Sequence, residues 1–456
     1  MPPRKKLNEP RKGSMQSLLA KMAENSGMKV STAEDYAKNW RYLTFKDPKT
    51  GLPSIAHEYL IGAAGFRAGT INQFRALFAK GKSSLCMLEY ASAFGNGGAW
   101  CAHLETEGAG MSAPRIAQFG MDPSQLVIPD AVNSFEDAVE FIDTFRCIIR
   151  GGEGGSINEL GRKSATKFKK EDAEDPNNEK PILIGVDSLS ALGKDDNTKL
   201  DIADMAKTQQ ISWLTVKIRE WLRQKAMVYQ RDLVTLFLTT HETQKLQMGP
   251  MAAFTGPKKT SIAGDAIGMF DTVGIDFTAK DWRDKSKAIA GTEITLKAFK
   301  NKLAQAGRSV SLFLSKEDGF DMIHSDAEFL LGPDSPFADG KGIFKGSRLC
   351  YRHAGGITCT PISDKPFKSE EEFVRAFYEN KDILAQARDG LRIVGYNLPH
   401  EEKYKSQYDD NGMWIGSPAL AKDHDKIMPE VEQEPQDLQE SQESQDNQES
   451  EEDYLD

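Results

Sequence analysis

The sequence predicts an α/β fold built on a mainly parallel, twisted β-sheet with helices on both faces. From about residue 50 to residue 314, apolar runs of strand character alternate with segments of helical periodicity, which is typical of βαβ units. After Gly264 the apolar residues alternate with polar ones, first at Val273, Ile275 and Phe277 and then in two later runs. That alternation predicts antiparallel strands that close one edge of the sheet.

The same patterns predict the individual elements. The apolar run 70–74 predicts a strand, and residues 84–90 predict the start of the helix that follows it. Ser134 followed by Asp137 is typical of a helix N-terminus. The runs 181–186 and 233–238 predict two buried strands of the parallel sheet.

The predicted parts of the chain differ in composition. Residues 15–22 place apolar side chains at helical spacing, and residues 151–180 are Gly-rich and then highly charged. The expected order is a basic disordered N-terminus (1–12), a helical oligomerisation arm (13–49), the α/β core (50–329) with an exposed insertion (151–180), a small α+β domain (330–400) with a hairpin at 348–362 and helices at 371–391, a weakly ordered linker (401–428) and an acidic disordered tail (429–456).

Composition excludes several classes of protein. The 456 residues are 39% hydrophobic, enough for a large core, and no apolar run approaches the length of a membrane span. The chain begins Met-Pro-Pro-Arg-Lys-Lys with no apolar segment behind it, so we expect no secretory signal. Five cysteines without a CxxC pair suit a reducing compartment better than a disulfide framework or a zinc site. These observations predict a cytoplasmic protein.

The negative charge is concentrated at one end of the chain. Residues 429–456 hold twelve Asp and Glu and no Lys or Arg, so removing them from the total of −10 leaves +2 for residues 1–428. The tail has too few large apolar residues to fold on its own. Two interpretations remain open: a solubilising tail, or an acidic strip that competes with nucleic acid for a basic groove.

A glycine–lysine–serine loop between the first predicted core strand and its helix carries the strongest chemical information. Backbone N–H groups and the helix dipole favour bound phosphate at such a place, and the segment fits a P-loop for ATP. Lys82 would reach the β- and γ-phosphates, and Ser83 would bind Mg²⁺. Ala76 stands where the motif usually has its first Gly. The alternative is a chance Gly-Lys-Ser sequence in a surface turn. The predicted nucleotide-binding residues of the segment are Ala76, Leu77, Phe78, Ala79, Lys80, Gly81, Lys82, Ser83 and Ser84.

Acidic residues supply the partners that a P-loop requires. Asp187 ends the apolar run 182–187, and a carboxylate at the end of a neighbouring strand would hold Mg²⁺ together with Ser83. Its alternative role is that of a turn residue. Glu105 and Glu107 are both candidates to orient the attacking water, and Glu107 is preferred because it lies just past the predicted strand end.

Four segments of the chain resemble RecA-type DNA recombinases. Residues 50–71 resemble the family's segment before the P-loop, and residues 186–192 (Val-Asp-Ser-Leu-Ser-Ala-Leu) resemble its second nucleotide motif. Residues 263–266 and 297–302 resemble the end of the second DNA loop and the lysine-bearing strand after it. The resemblance is closer to phage recombinases of the UvsX kind than to bacterial RecA. It implies a RecA-type P-loop ATPase core and the cytoplasm of a bacterium or of a phage-infected host.

The resemblance also implies roles for individual residues. Lys82, Ser83 and Asp187 would bind nucleotide and Mg²⁺, and Glu107 would activate water. Lys300 and Lys302 would reach the ATP of an adjacent subunit, where their charge would stabilise the transition state. Without the resemblance, alternate lysines on an exposed strand are usually solvated.

Two DNA-binding loops are implied, over residues 193–205 and 244–264. A flexible basic loop with an aromatic side chain offers backbone contact and base stacking. An ordinary mobile surface loop is the alternative. The implied DNA-binding residues are Lys245, Phe254, Lys258, Lys259 and Gly264.

Two further positions depart from the family. Where bacterial RecA has the Gln that couples nucleotide to DNA, this chain has Thr240 and His241, and either could hydrogen-bond a γ-phosphate. Gly268 and Met269 stand where the family commonly has a Lys-Phe pair at the subunit interface.

The expected function is that of a DNA-dependent ATPase that forms filaments on single-stranded DNA and promotes homologous pairing and strand exchange in recombination and repair. The expected partners are single- and double-stranded DNA, further copies of the chain, and single-strand-binding or mediator proteins. The alternatives are another RecA-fold ATPase, such as a ring helicase or a branch-migration factor, and an ATP-binding protein that coats single-stranded DNA with little hydrolysis.

Deletion of residues 429–456 is expected to tighten DNA binding and to weaken its dependence on free Mg²⁺, because the twelve acids would no longer occupy a basic groove. Such attraction is screened beyond roughly 8 to 10 Å at ordinary salt, so the effect should shrink as salt rises. DNA titrations of full-length and truncated protein at several salt concentrations measure it. Equal affinities at every salt concentration would leave the tail as a solubility device.

Overall fold

The computed structural model describes residues 40–154 except 109 and 131, 166–174, 180–193, 209–245, 258–261, 264–332 except 284–286, 350–359 except 354, 363 and 365–379, with four separate positions between 19 and 24. Most of the expected N-terminal arm, much of the insertion, most of both expected DNA loops, the linker and the acidic tail lie outside these residues.

Sixteen strands occur in the described part of the chain. In chain order they are β1 Tyr42–Thr44, β2 Gly65–Arg67, β3 Ile71–Ala76, β4 Trp100–Glu105, β5 Leu126–Val127, β6 Gly152–Gly154, β7 Thr166–Phe168, β8 Ile182–Asp187, β9 Val234–Lys245, β10 Lys258–Ser261, β11 Val273–Arg283, β12 Ile289–Asn301, β13 Ser309–Ser315, β14 Gly319–Asp321, β15 Cys350–His353 and β16 Gly356–Cys359.

Eight α-helices are described alongside these strands. They are α1 Ile55–Ile61, α2 Lys82–Gly95, α3 Ala113–Gln118, α4 Phe135–Arg150, α5 Gln209–Arg231, α6 Gly264–Gly268, α7 Met322–Leu331 and α8 Glu370–Glu379. Helix α4 begins with a capping box, in which Ser134 and Asp137 satisfy each other's backbone N–H groups as predicted. Among the described residues, no helix combines the length and the apolar character that crossing a membrane requires.

A ten-stranded sheet forms the centre of the fold. Its order is β14-β13-β12-β11-β3-β9-β8-β4-β5, and β10 pairs with the outer end of β9. The six strands from β11 to β5 are parallel, whereas β12, β13 and β14 are antiparallel. The predicted α/β class and the predicted antiparallel edge are both confirmed.

Each face of the sheet is covered by helices. Strand β8 is buried along its whole length, as expected for a central parallel strand that contributes apolar side chains to both faces. On one face Phe74, Leu183 and Phe237 pack in a cluster that includes residues of α1, α2 and α7. On the other face Ile184 and Leu236 pack against α4 and α5.

The second expected DNA loop is bounded by strands. The strand predicted at 233–238 continues to Lys245, and Lys245 and Gln244 pair with Lys258 and Lys259 of β10. The prediction of a loop over 244–264 is therefore wrong at its ends, where main-chain hydrogen bonds form a two-stranded ribbon. Residues 246–257 lie outside the described part of the chain.

The described residues beyond 330 contain the predicted hairpin and one of the predicted helices. The hairpin consists of β15 and β16, and α8 follows it. Ile357, Phe367 and Phe373 are buried in the same apolar cluster as α1 and α7. Side chains of this segment thus contribute to the cluster on the α2 face of the sheet.

A buried carboxylate joins α7 to the start of α1. Asp326 accepts hydrogen bonds from the Ser54 hydroxyl (2.7 Å) and from the backbone N–H of Ala56 (2.9 Å). Ser54 in turn caps α1 by accepting from the N–H of His57. Burial nevertheless raises the pKa of Asp326 to about 7.

Asp326→Asn is expected to remove a pH-dependent contribution to the free energy of unfolding. The pKa of Asp326 is raised in the folded state to about 7, so folding binds a proton between about pH 4 and 7. The contribution of Asp326 to the free energy of unfolding is fully present below about pH 4, falls as pH rises, and levels off above about pH 7. The asparagine variant should gain up to about 4 kcal/mol relative to the parent across that interval. Urea unfolding at a series of pH values measures the difference, and parallel profiles would contradict it.

Candidate functional site

Polar side chains of four parallel strands meet at one edge of the sheet. The carboxyl ends of β3, β4 and β8 lie side by side with His241 of β9, which is opposite Ala76, and Glu105 is opposite Asp187. Ligands of open α/β sheets bind at this kind of edge, because the loops after the strands leave a crevice there.

The loop between β3 and α2 turns sharply at this edge. Ala76 is buried as the last residue of β3, and α2 begins at Lys82. Gly81 has a φ of 86° and Ala79 a φ of 52°, both in the left-handed region. The positive φ favours glycine at position 81, where a Cβ would also lie 2.3 Å from the terminal methyl group of Ile294. The turn places the N-terminus of a fourteen-residue helix at the site.

Lys82 lies inside the loop. Its Nζ donates a hydrogen bond to the carbonyl oxygen of Leu77 (3.2 Å) and is 3.5 Å from Nδ1 of His241. The residue is only 5% exposed. Burial lowers the pKa of Lys82, and the negative charges of Asp187 and Glu107 oppose that shift. The ammonium group of Lys82 is thus held close to two carboxylates at the mouth of the loop.

Asp187 is the carboxylate on which the neighbouring side chains converge. Ser83 donates to its Oδ2, and Thr239 of β9 donates to its Oδ1 (2.5 Å). Asp187 is 6% exposed and Thr239 is fully buried. Ser83 and Asp187 therefore lie together, as a shared cation would require. Thr239 was missed by the sequence analysis, because its role depends on the pairing of β8 with β9.

Glu107 contacts His241 and Ser188. One Glu107 oxygen, Oε1, accepts from the Ser188 hydroxyl (2.6 Å) and lies 2.5 Å from Nε2 of His241. The peptide bond between Asp187 and Ser188 is cis. The exposed ring of Phe78 stacks on His241 with a centroid distance of 4.3 Å. Glu107 lies two residues beyond β4, as predicted.

Thr240 and His241, the two candidates for a contact with a γ-phosphate, lie on opposite faces of the sheet. His241 faces the site, where it contacts Glu107 and approaches Lys82. Thr240 points to the opposite face of the sheet, where its hydroxyl accepts from the amide of Gln73 (3.2 Å). Only His241 of the pair is brought to the other site residues.

Other predicted loop residues have different surroundings. Lys80 donates from Nζ to the carbonyl oxygen of Ala279 on β11 (3.2 Å), so its charge is directed away from Asp187. Ser84 is buried in the first turn of α2, and Leu77 contributes its carbonyl to Lys82. Phe78 is 69% exposed.

Lys300 and Lys302 are not brought to this site within one chain. Lys300 of β12 pairs with Gly274 of β11, which pairs in turn with Gln73 of β3. Gln73 lies in the first half of β3, whereas the loop follows the carboxyl end of that strand. It donates to the carbonyl of Gly268 and forms an ion pair with the buried Asp271. Partial burial and the Lys300 charge lower the pKa of Lys302, which is exposed just beyond β12.

The predicted DNA-binding residues lie beyond His241 on the same strand and on its partner. Lys245 is opposite Lys258 in the ribbon, Lys259 is opposite Gln244, and Gly264 begins α6. Phe254 lies outside the described residues. The ribbon therefore extends directly from the strand that carries Thr239 and His241.

Comparison of the sequence with protein-family models and with curated proteins finds no match.

Proposed function

We propose that this chain is a DNA-dependent ATPase with a RecA-type P-loop core, which forms filaments on single-stranded DNA and promotes homologous pairing and strand exchange. One observation carries the proposal. Lys82, Ser83, Asp187, Glu107 and His241, which come from four separate segments of the sequence, meet at the carboxyl edge of one sheet beside a helix N-terminus.

The arrangement suits a nucleoside triphosphate with Mg²⁺. The start of α2 and the charge of Lys82 favour phosphate, and Gly81 adopts the left-handed conformation that turns the loop into the helix. Ser83 and Asp187 offer the oxygen ligands that Mg²⁺ prefers, and their hydrogen bond supports a shared ion because it places the two side chains together. Bound Mg²⁺ would neutralise charge on the phosphates.

Glu107 is the residue best placed to orient the attacking water. It lies beyond a strand end, and its oxygen is already hydrogen-bonded by Ser188 and by His241. His241 also approaches Lys82. A ligand that contacts the His241 ring would therefore alter the hydrogen bonding of Glu107, which couples nucleotide occupancy to the proposed base.

The assembly part of the proposal is supported by the position of Lys300 and Lys302. Both lie toward the end of the sheet away from the chain's own loop. A role at a phosphate would therefore require a second copy of the chain, as in a filament. The basic residues of the β9–β10 ribbon are the proposed contacts for DNA phosphates.

Lys82→Ala is expected to lower the rate of DNA-stimulated ATP hydrolysis by at least about 100-fold, because a buried charge aimed at the transferring phosphate would be lost. Phosphate release with and without single-stranded DNA measures it. Lys167→Ala, which removes an exposed lysine from β7, is the matched control and should keep the parental rate. Parental hydrolysis by folded Lys82→Ala protein would contradict the assignment.

Lys300→Ala combined with Lys302→Ala is expected to spare ATP binding by isolated subunits and to abolish DNA-stimulated hydrolysis. Lys297→Ala, on the exposed face of the same strand, is the control. Nucleotide binding by dilute protein, phosphate release and thermal unfolding are compared, because Asp271 loses its partner in the double variant. Loss of ATP binding by a folded monomer would place the lysines in their own chain's pocket.

Electron microscopy tests the class of assembly. With single-stranded DNA and ATP, helical filaments are the expected result. Closed rings would instead favour a helicase or branch-migration factor, and filaments without phosphate release would favour a DNA-coating protein.

A further inference from the structure

A histidine and two carboxylates meet behind the proposed nucleotide site. His103 and Glu105 are alternate residues of β4, so they face the same side of the sheet, and Asp187 lies opposite Glu105 on β8. One ligand atom of each residue lies within 4.8 Å of the others. His103 and Asp187 are buried, whereas Glu105 is partly exposed and its Oε1 accepts a hydrogen bond from the backbone N–H of Glu107 (2.9 Å).

The ring of His103 is held in position from its other side. Its Nδ1 lies 3.3 Å from the hydroxyl of Tyr90, which is fully buried in α2. With the proton on Nδ1 donated to that hydroxyl, the lone pair of Nε2 faces Asp187. A hydrogen bond of this kind orients and strengthens a histidine ligand.

Gly185 makes the contact between Tyr90 and His103 possible. It lies opposite His103 on β8, and a Cβ there would be 2.0 Å from the Tyr90 hydroxyl and 2.9 Å from Nδ1 of His103. Any larger residue would displace one of the two side chains. The absence of a side chain at position 185 therefore preserves the orientation of the imidazole.

The Nε2 atom of His103 lies 4.0 Å from Oδ2 of Asp187. That distance is too long for a hydrogen bond. Two ligand atoms bonded to one ion at about 2.0 to 2.2 Å lie roughly 3.0 to 3.6 Å apart at octahedral or tetrahedral angles, so the two side chains would approach each other by about 0.5 to 1 Å when a metal binds.

We propose that His103, Glu105 and Asp187 bind a divalent transition-metal cation, such as Mn²⁺, Co²⁺ or Zn²⁺. One nitrogen and two carboxylate oxygens suit these ions better than Mg²⁺, which prefers oxygen ligands alone. Three protein ligands leave coordination positions for water. The site shares Asp187 with the proposed nucleotide pocket, but it requires neither ATP nor DNA.

The alternative is a buried histidine that serves only to pack against Tyr90. The two interpretations differ in what they predict for Nε2, because a packing histidine has no need of two carboxylates beside that atom. Direct detection of the ligand nitrogen therefore distinguishes them.

The test uses the full-length protein without nucleotide. Mn²⁺ is titrated up to one equivalent and followed by electron paramagnetic resonance, in which nitrogen coupling distinguishes the His103 site from sites made of oxygen alone, including the acidic tail. One Mn²⁺ per chain is expected, with nitrogen coupling in the pulsed spectrum. His103→Leu should abolish that site, Tyr90→Phe should weaken its affinity about 10- to 100-fold, and His324→Leu, on α7, should leave it unchanged.

Absence of nitrogen coupling in the unaltered protein would overturn the proposal, whether or not the variants fold. Equal Mn²⁺ binding by folded His103→Leu protein would also overturn it. Lys82→Ala separates this proposal from the proposed function, because that variant should lose ATP hydrolysis and keep the Mn²⁺ site.

Discussion

The buried carboxylate of Asp187 is the constraint around which the site is organised. A charge at this depth is stable only when its oxygens are hydrogen-bonded, and the bonds come from Ser83 on α2 and Thr239 on β9. Those two donors fix the start of the helix and the neighbouring strand relative to β8. Lys82 adds a compensating positive charge on the same side. The geometry of the loop, the helix and two strands is thus tied to one side chain.

The sheet separates two kinds of surroundings at its open edge. On the face covered by α2, alternate residues of the strands supply the polar groups of the site, including His103, Thr239 and His241. On the other face, Gln73 and Thr240 bond to each other, and Arg75 pairs with Asp276. Successive side chains of a strand alternate between the two faces of the sheet. Two neighbouring residues such as Thr239 and Thr240 therefore lie in different surroundings.

Local sequence patterns sufficed for the features that depend on neighbouring residues. The strand–loop–helix unit around Gly81, the end of β8 at Asp187, the capping box of α4 and the antiparallel edge were all predicted correctly. Apolar runs bounded by polar residues indicate such elements directly.

Features that depend on strand pairing were not accessible in the same way. Thr239 meets Asp187 across 52 positions of sequence, and the choice between Thr240 and His241 depends on which face each one occupies. The extension of β9 to Lys245 was missed because its outer residues are polar and pair only with β10. The direction of Lys80 toward Ala279 depends on the position of β11 beside β3.

The length of β9 has a mechanical consequence. Its twelve residues run without a break from the buried centre of the sheet, past Thr239 and His241, to the paired ribbon at Lys245. The ribbon begins at Glu242, the residue after His241, and at about 3.3 Å per residue it reaches Lys245 roughly 13 Å from His241. A hydrogen-bonded strand transmits twist along its axis more faithfully than a flexible loop does. Continuous main chain of β9 therefore joins the ribbon to His241, whose ring contacts Glu107, with no loop between them to absorb a displacement.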